Sequence, residues 1–554
     1  MAGLATSLGS GAMTSSIDDI GSASTIFAIG TNTTQAHPVI ALKVKKAARD
    51  GAKLIVANPK EIDLCRYASL FLQHKPGTDV ALLMGMMKVI VDQGLCDDTF
   101  IKERCENYDD FAASLSEFDL AKVEQITGVE AALIEKAAKI YAENGPAAIL
   151  YCMGITQHTH GTDNVFAISN LALITGNIGK PGTGVCPLRG QNNVQGSCDM
   201  GALPNVYPGY QNVDDPKNKE KFEKAWNAKL SSEPGVKHTE LFDKVSDGTI
   251  KSVYLVGENP VLSDANANHA VESLKKIPFL VVQDIFMTET AKLADVVLPA
   301  VTFAEKDGTF ANTERRVQRV RKAIAPKGDS KADWQITSEI ARKMKADWQI
   351  TSEIARKMKA EGFDYESPKD IMAEIASLVP SYAGISYERL EQGGLQWPCP
   401  TADHPGTPLL HTKAFGTSSG LAKLIPLKYR ESAELPDSDY PFLLTTDRSL
   451  FHYHTSTMTR KVQGLEQLNS EDHLCINYSD ARKLGIADDE MLKVSSRRGE
   501  LSVKAKVTRA CPQGVVSMTF HFAEAPVNVL TNAALDPVAK IPETKVCAVR
   551  VEKV

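Results

Sequence analysis

No apolar run in this chain approaches the roughly 18–20 residues that a bilayer-spanning helix needs, so a membrane span is not expected. There is no C-x-x-C pair either. The ten cysteines, at positions 65, 96, 105, 152, 186, 198, 399, 475, 511 and 547, are scattered. That argues against a zinc ribbon or a cysteine-ligated cluster and reads most of them as buried thiols in a reducing compartment. No G-x-G-x-x-G follows the first strand, which counts against a plain nicotinamide dehydrogenase. Charge of one sign is also scarce: 62 basic residues face 68 acidic ones, a formal net charge of -6, so nucleic acid is not the expected partner. Met1-Ala2-Gly3-Leu4 lacks the basic and apolar regions of a signal peptide, and the location is read as cytoplasmic.

What is present is length and pattern. At 554 residues the chain can bury several cores. Thr25–Ile29 reads as a buried strand, Gly30–Gln35 as a turn, 37–49 as a helix and Lys53–Ala57 as the next strand. This order is a parallel α/β unit. Ligands bind beyond the carboxyl ends of such strands, which puts Asn32, Gln35, Ala57, Asn58 and Lys60 at a nucleotide-sized crevice. The turn holding Gly77 and Asp79 leads into a helix from Val80, whose first amides suit a pyrophosphate as well as an ordinary cap. Residues 97–145 read as helical scaffold. Ala147–Cys152 is a strand with Met153, Gly154 and Gln157 at its mouth, and Val165–Thr175 a helix. Val253–Val256, Phe279–Val282 and Val296–Leu298 begin a second α/β lobe, with mouths at 257–264, Gln283-Asp284 and Pro299-Ala300.

Between the lobes, Pro187 to Tyr210 has neither helical period nor strand alternation and reads as a long ordered loop. Its glycines permit close backbone approach, and Gln191, Asn192 and Asn193 offer amide donors and acceptors. Arg189 supplies a fixed planar cation at its head. Residues 360–435, rich in Pro, Gly and Ser, read as a linker with short helices. From Tyr440 the pattern turns to short strands (442–445, 492–495, 501–507, 515–520), which suggests a closed β-barrel. His452 and His454 lie two apart without a third ligand, so pterin or phosphate contact is preferred to metal.

The run Pro187-Leu188-Arg189-Gly190-Gln191-Asn192-Asn193-Val194-Gln195-Gly196 resembles a loop of molybdenum- or tungsten-dependent formate dehydrogenases. Gly257-Glu258-Asn259-Pro260, 283–288 (QDIFMT), 294–299 (ADVVLP), 305–319 (EKDGTFANTERRVQR) and 520–525 (FHFAEA) extend the resemblance over nearly the whole chain. The resemblance implies two doubly wound α/β lobes around bis(molybdopterin guanine dinucleotide), carrying Mo or W, plus the carboxyl-terminal barrel. The boundaries expected are 1–190, 191–395, a linker at 396–435 and 436–554. One nucleotide tail would meet the Asn32–Lys60 crevice, although Asn58-Pro59-Lys60 stands where the family often has Asp-Pro-Arg. The other would meet Glu258, Asn259, Ser263, Gln283 and Asp284, and Ala300 is a further expected cofactor contact. Arg448, Ser449, His452, His454, Phe520, Asn528 and Lys545 match later cofactor contacts.

The resemblance further implies formate as substrate, with Arg189 as its carboxylate clamp, and iron–sulfur or flavin subunits as electron acceptors. The family's cysteine- or selenocysteine-histidine motif and its [4Fe-4S] cysteines have no counterpart here. The chain is therefore expected to be an amino-truncated form, inactive alone, a separate amino-terminal subunit being the alternative. Rival readings are another molybdopterin oxidoreductase, such as a nitrate reductase, and a non-catalytic scaffold on the same fold. The segment KADWQITSEIARKM occurs twice in tandem, at 331–344 and 345–358. Fourteen residues are almost four helical turns, so a second copy turns a helix face by only about 40°. The family has one copy, whose aspartate touches the cofactor; here Asp333 or Asp347 could fill that place.

Overall fold

The computed structural model describes residues 1–346 and 363–554, so Asp347 and most of the second tandem copy lie outside the described residues. The chain divides into two compact units. The first comprises 1–190, 260–270 and 409–554; the second comprises 191–259 and 271–408.

The first unit is built on a five-stranded sheet in the order Leu70–Leu72, Lys53–Ala57, Thr25–Ile29, Ala147–Tyr151, Gly184–Pro187. Every neighbouring pair is parallel. Strand side chains point alternately to opposite faces, and the sequence fills both. Phe27, Ile29, Ile55, Ile149 and Tyr151 enter one core, with the helices Asp79–Asp92, Ala131–Glu143 and Gly161–Ile174. Ile26, Ala28, Leu54, Val56 and Leu150 enter the other, with the helix Pro38–Arg49. Apolar residues at every strand position are what a sheet covered on both faces requires. Each such Ile, Leu or Phe contributes about 2 kcal/mol by leaving water.

The short strands expected after Tyr440 close into a barrel. Its order is Phe442–Asp447, Val515–Thr519, His473–Asn477, Glu500–Thr508, Met491–Ser495, Cys547–Lys553. Closure leaves no unpaired edge, and Leu444, Leu474, Ile476, Leu492, Val494 and Val516 fill the interior. The Pro/Gly/Ser-rich stretch contributes as well: Phe415, Leu424 and Leu427 join the core of the first unit.

The second unit carries a three-stranded parallel sheet, Val296–Pro299, Phe279–Asp284, Ser252–Val256. The stretch read as a pure loop is corrected here, since Val194–Asp199 forms a helix. Asn193 before it has φ 59°, and its Oδ1 accepts a hydrogen bond from the Ala311 amide at 3.0 Å. No apolar period announced this helix because its residues are small and polar. Tertiary anchors hold it instead. Asp199, fully buried, accepts from Gln195 at 2.8 Å, Tyr210 at 2.8 Å, Trp397 at 2.7 Å and Tyr382. The fully buried Arg315 donates to the carbonyls of Trp397, Thr407 and Pro408. Among the described residues no helix is long and apolar enough to cross a membrane.

Candidate functional site

In the first unit the strand order reverses between Thr25–Ile29 and Ala147–Tyr151, whose chain neighbours run to opposite sides. Such a switch point parts the loops beyond the strand ends and opens a crevice there. The turn at Gly30 (φ +56°) and the turn at Gly154 pass in contact, with the Gly154 amide donating to the Gly30 carbonyl at 3.0 Å. A Cβ on Gly154 would lie 2.5 Å from that carbonyl oxygen, so only glycine fits.

Two adjoining cavities, of about 100 and 330 Å³, open here and share Asn32, Lys60, Ile62, Asp447 and Arg448. Of the residues named from sequence, Asn58, Gly77, Asp79, Met153, Gly154 and Lys545 also line the first. Gln35 and Ser449 line the second. Ala57 is fully buried at its strand end, and Gln157 caps the short helix Met153–Thr156; neither lines these two cavities.

The walls are cationic. Lys60 donates to Asp447 at 3.0 Å and to Ser517 at 3.1 Å. Burial works against its charge, but Asp447 and nearby thiols outweigh that and hold Lys60 above the usual lysine range. Burial likewise works against the Asp447 carboxylate, and Lys60 brings it below its ordinary value. Lys545 donates to the Thr446 carbonyl at 2.8 Å; burial first, then the neighbouring Arg448, lowers it to about 8. Arg448 is lowered by burial and stacks on the Phe520 ring at 4.9 Å. An anion entering here would relieve this crowding of positive charge. Thr31 Oγ1 and Asn32 Oδ1, in the same wall, are buried without a hydrogen-bond partner among the described residues. Buried polar atoms of this kind are completed by a ligand or by water. Three cations, two uncompleted polar groups and glycine-lined turns fit a phosphate-bearing nucleotide cofactor.

The Asp79 side chain has partners of its own. Its carboxylate is buried and accepts from His74 Nε2 at 2.9 Å. Burial pushes its pKa up, but the His74 charge outweighs this and lowers it. His158 Nε2 lies 3.9 Å from the same carboxylate. His74, His158, Cys152 and the run Thr445-Thr446-Asp447 line the cavity without having been singled out in sequence. Cys152 and Asp447 stand at strand ends and His74 before the Gly77 turn; His158, beyond the short helix Met153–Thr156, has no such cue.

Arg189 stands two residues past the strand Gly184–Pro187. Its Nη2 donates to the Gly11 carbonyl at 3.1 Å. Its carbonyl lies 2.8 Å from His37 Nε2, so His37 braces this turn as well as starting a helix. The next residue, Gly190, leaves its missing Cβ 3.7 Å from the Arg448 guanidinium. Arg189 therefore stands beside the cavity wall.

The later residues divide. His452 has both ring nitrogens engaged, with Thr459 at 3.1 Å and the Asn469 carbonyl at 2.5 Å, so it is a bracing residue. His454 is half-buried beside Phe520, 5.4 Å between rings, and burial, with Arg448, lowers it to about 4. Ser449 receives the Asn469 amide at 2.8 Å. Asn528 donates to the carbonyls of Leu262 and Ser263 at 2.8 and 3.1 Å, fixing that turn, and the Ser263 hydroxyl donates to Asp264.

In the second unit, Gln283 is buried and donates to Asp333 at 2.8 Å while accepting from Tyr254. Asp333, the first residue of the helix Asp333–Ala346, also pairs with Lys306. Asp284 accepts from the amides of Ile285 and Phe286, and burial raises its pKa. Its carbonyl receives the Ala300 amide at 3.1 Å. The Asn259 amide is engaged with Thr290 and Glu289. Glu258 is exposed, and Gln191 begins this unit. Gln283, Asp284, Ala300 and Asp333 thus gather at one set of strand ends; Asn259 acts as a brace below them.

Two family models match the chain: molybdopterin oxidoreductase over residues 3–343 and molydopterin dinucleotide binding domain over 442–548. The F420-dependent formate dehydrogenase subunit alpha of Methanocaldococcus jannaschii is 49% identical over 552 residues, spanning 100% of this chain and 80% of that protein. Formate dehydrogenase H of Escherichia coli is 39% identical over 559 residues, spanning 100% of this chain and 76% of that protein. Among solved structures, acetylene hydratase from Pelobacter acetylenicus aligns with a TM-score of 0.77 at 20% identity, covering 100% of this chain and 80% of that one. That last likeness is one of fold.

Proposed function

The chain belongs to the molybdopterin oxidoreductase family, and on that footing we propose that it is the catalytic subunit of a formate dehydrogenase, taking formate to carbon dioxide, a proton and two electrons. The observation that carries the reading is the switch-point cavity, with Lys60, Arg448 and Lys545 around the uncompleted Thr31 and Asn32. No side chain accepts two electrons, and a molybdopterin dinucleotide with Mo or W supplies that capacity when bound. Lys60, Arg448 and Lys545 balance the charge of its phosphates. Asn32 and Thr31 would complete their hydrogen bonding on it, and within the second unit the strand ends at Gln283 and Asp284 offer a nucleotide site of their own. Arg189 presents a planar fork to the two oxygens of formate and orients its C–H bond. We place the protein in the cytoplasm, passing electrons to an iron–sulfur or flavin subunit.

Pterin and metal analysis of the purified protein, with formate-dependent dye reduction by the assembled enzyme, tests this. Bound pterin dinucleotide and formate-driven reduction are expected. Protein that folds and carries no pterin favours a scaffold role and removes the proposal; bound pterin with nitrate rather than formate turnover reassigns the substrate.

A further inference from the structure

Lys60 also lies 3.7 Å from the Cys475 thiol, on the face of its barrel strand opposite the interior residues Leu474 and Ile476. Cys475 is on the strand His473–Asn477 and is paired in register with Ser517 across the sheet. Ser517 Oγ is 3.1 Å from the Lys60 ammonium and 3.7 Å from the Cys511 thiol. The Ser517 hydroxyl thus touches both the Cys511 thiol and the ammonium that Cys475 faces, which brings the two cysteines to one spot. Cys475 is half-buried and Cys511 buried. Two sulfurs, a hydroxyl and an ammonium therefore share one small cluster. We propose that Cys475 and Cys511 form a redox-responsive dithiol that reacts with low-molecular-weight disulfides, with Lys60 activating Cys475.

The two thiols differ in the way this chemistry needs. The neighbouring Cys511 thiol first, then the Lys60 charge, work against burial and hold Cys475 below the usual thiol range. The neighbouring Cys475, with burial, pushes Cys511 far up. The thiolate is the attacking species, so Cys475, the more accessible of the pair, reacts first. Its sulfur forms a bond to one sulfur of the disulfide, whose S–S bond breaks, and the other half leaves with the electron pair and takes up a proton. Cys511 then gives up its proton and attacks Cys475, expelling the second half as a thiol. In sum two protein thiols are oxidised to one disulfide, and one small disulfide is reduced to two thiols. Loss of the thiolate removes one of the negative groups that hold Lys60, a residue lining both cavities. The pair therefore couples thiol redox state to the cavity wall, whatever substrate the protein turns over.

The test uses the full chain under anaerobic conditions with glutathione disulfide, read by peptide mass mapping. Wild type should yield a Cys475–Cys511 link reversed by dithiothreitol. Cys511→Ser should accumulate a glutathione adduct on Cys475, and Lys60→Gln should react on the order of tenfold more slowly. Adducts on other cysteines with no 475–511 link, or an unchanged rate in Lys60→Gln, would overturn the proposal. If Lys60→Gln does not fold, the pH profile of Cys475 alkylation in the wild type decides. A midpoint well below the ordinary thiol range supports the pair; one within that range removes it.

Discussion

The Lys60 ammonium and the Asp447 carboxylate, 387 positions apart in sequence, meet at 3.0 Å. They join the turn after one strand of the doubly wound sheet to the last residue of a barrel strand. Removing one member leaves the other charge enclosed and unpaired. Lys60→Ala is therefore expected to destabilise the protein by about 2 kcal/mol, less than a fully buried pair because both side chains keep some solvent contact. Urea unfolding of the variant against wild type measures this; an unchanged midpoint would show the pair to be neutral.

Lys545 gives a pH dependence with a definite sign. Lowered to about 8 in the free protein, it is cationic below that value and loses its proton above it. An anion bound beside it restores the charge, so binding above pH 8 must take up a proton. Affinity for guanosine diphosphate should be flat below about pH 8 and fall about tenfold per pH unit above it. Calorimetric titration across that range reads the slope. Lys545→Met should bind more weakly and show no break; a break surviving in Lys545→Met would assign the effect elsewhere.

Arg189 tests the substrate clamp. Lysine keeps the charge but not the two-pronged donor. Arg189→Lys in the assembled enzyme should lower formate kcat/KM by about a hundredfold, chiefly through KM. Pterin content should stay at the wild-type level. Steady-state kinetics with cofactor analysis separates the two; wild-type KM in this variant would remove Arg189 from the substrate.

Asp199 organises the short helix after Arg189 from within the second unit. Asp199→Ala strands the donors of Gln195, Tyr210, Tyr382 and Trp397. Each buried donor left without a partner costs about 1–3 kcal/mol, partly relieved by entering water. A net loss of about 4 kcal/mol is expected, with exposure of the buried Trp397 visible in its fluorescence on denaturant titration. A loss within error would show that the four donors find other partners.

The strands Thr25–Ile29 and Lys53–Ala57 fall where apolar runs between turn residues put them. The barrel follows from short strands after Tyr440. These features are local: a run of side chains and the turns around it decide the element, and alternation decides the faces it must bury. Parallel connection then fixes the end at which a ligand binds, so Asn32, Asn58 and Gly154 were legible as cavity residues.

Which polar groups remain available at that end was settled by folding. His452 and Asn259 have the chemistry of cofactor contacts, but the fold gives them Thr459, Asn469, Thr290 and Glu289 as partners. Asp447, His74 and Lys545 reach the cavity from separate parts of the chain. A hydrogen bond or ion pair across hundreds of residues leaves no period in the sequence, because its partners are chosen by packing and not by neighbours along the chain.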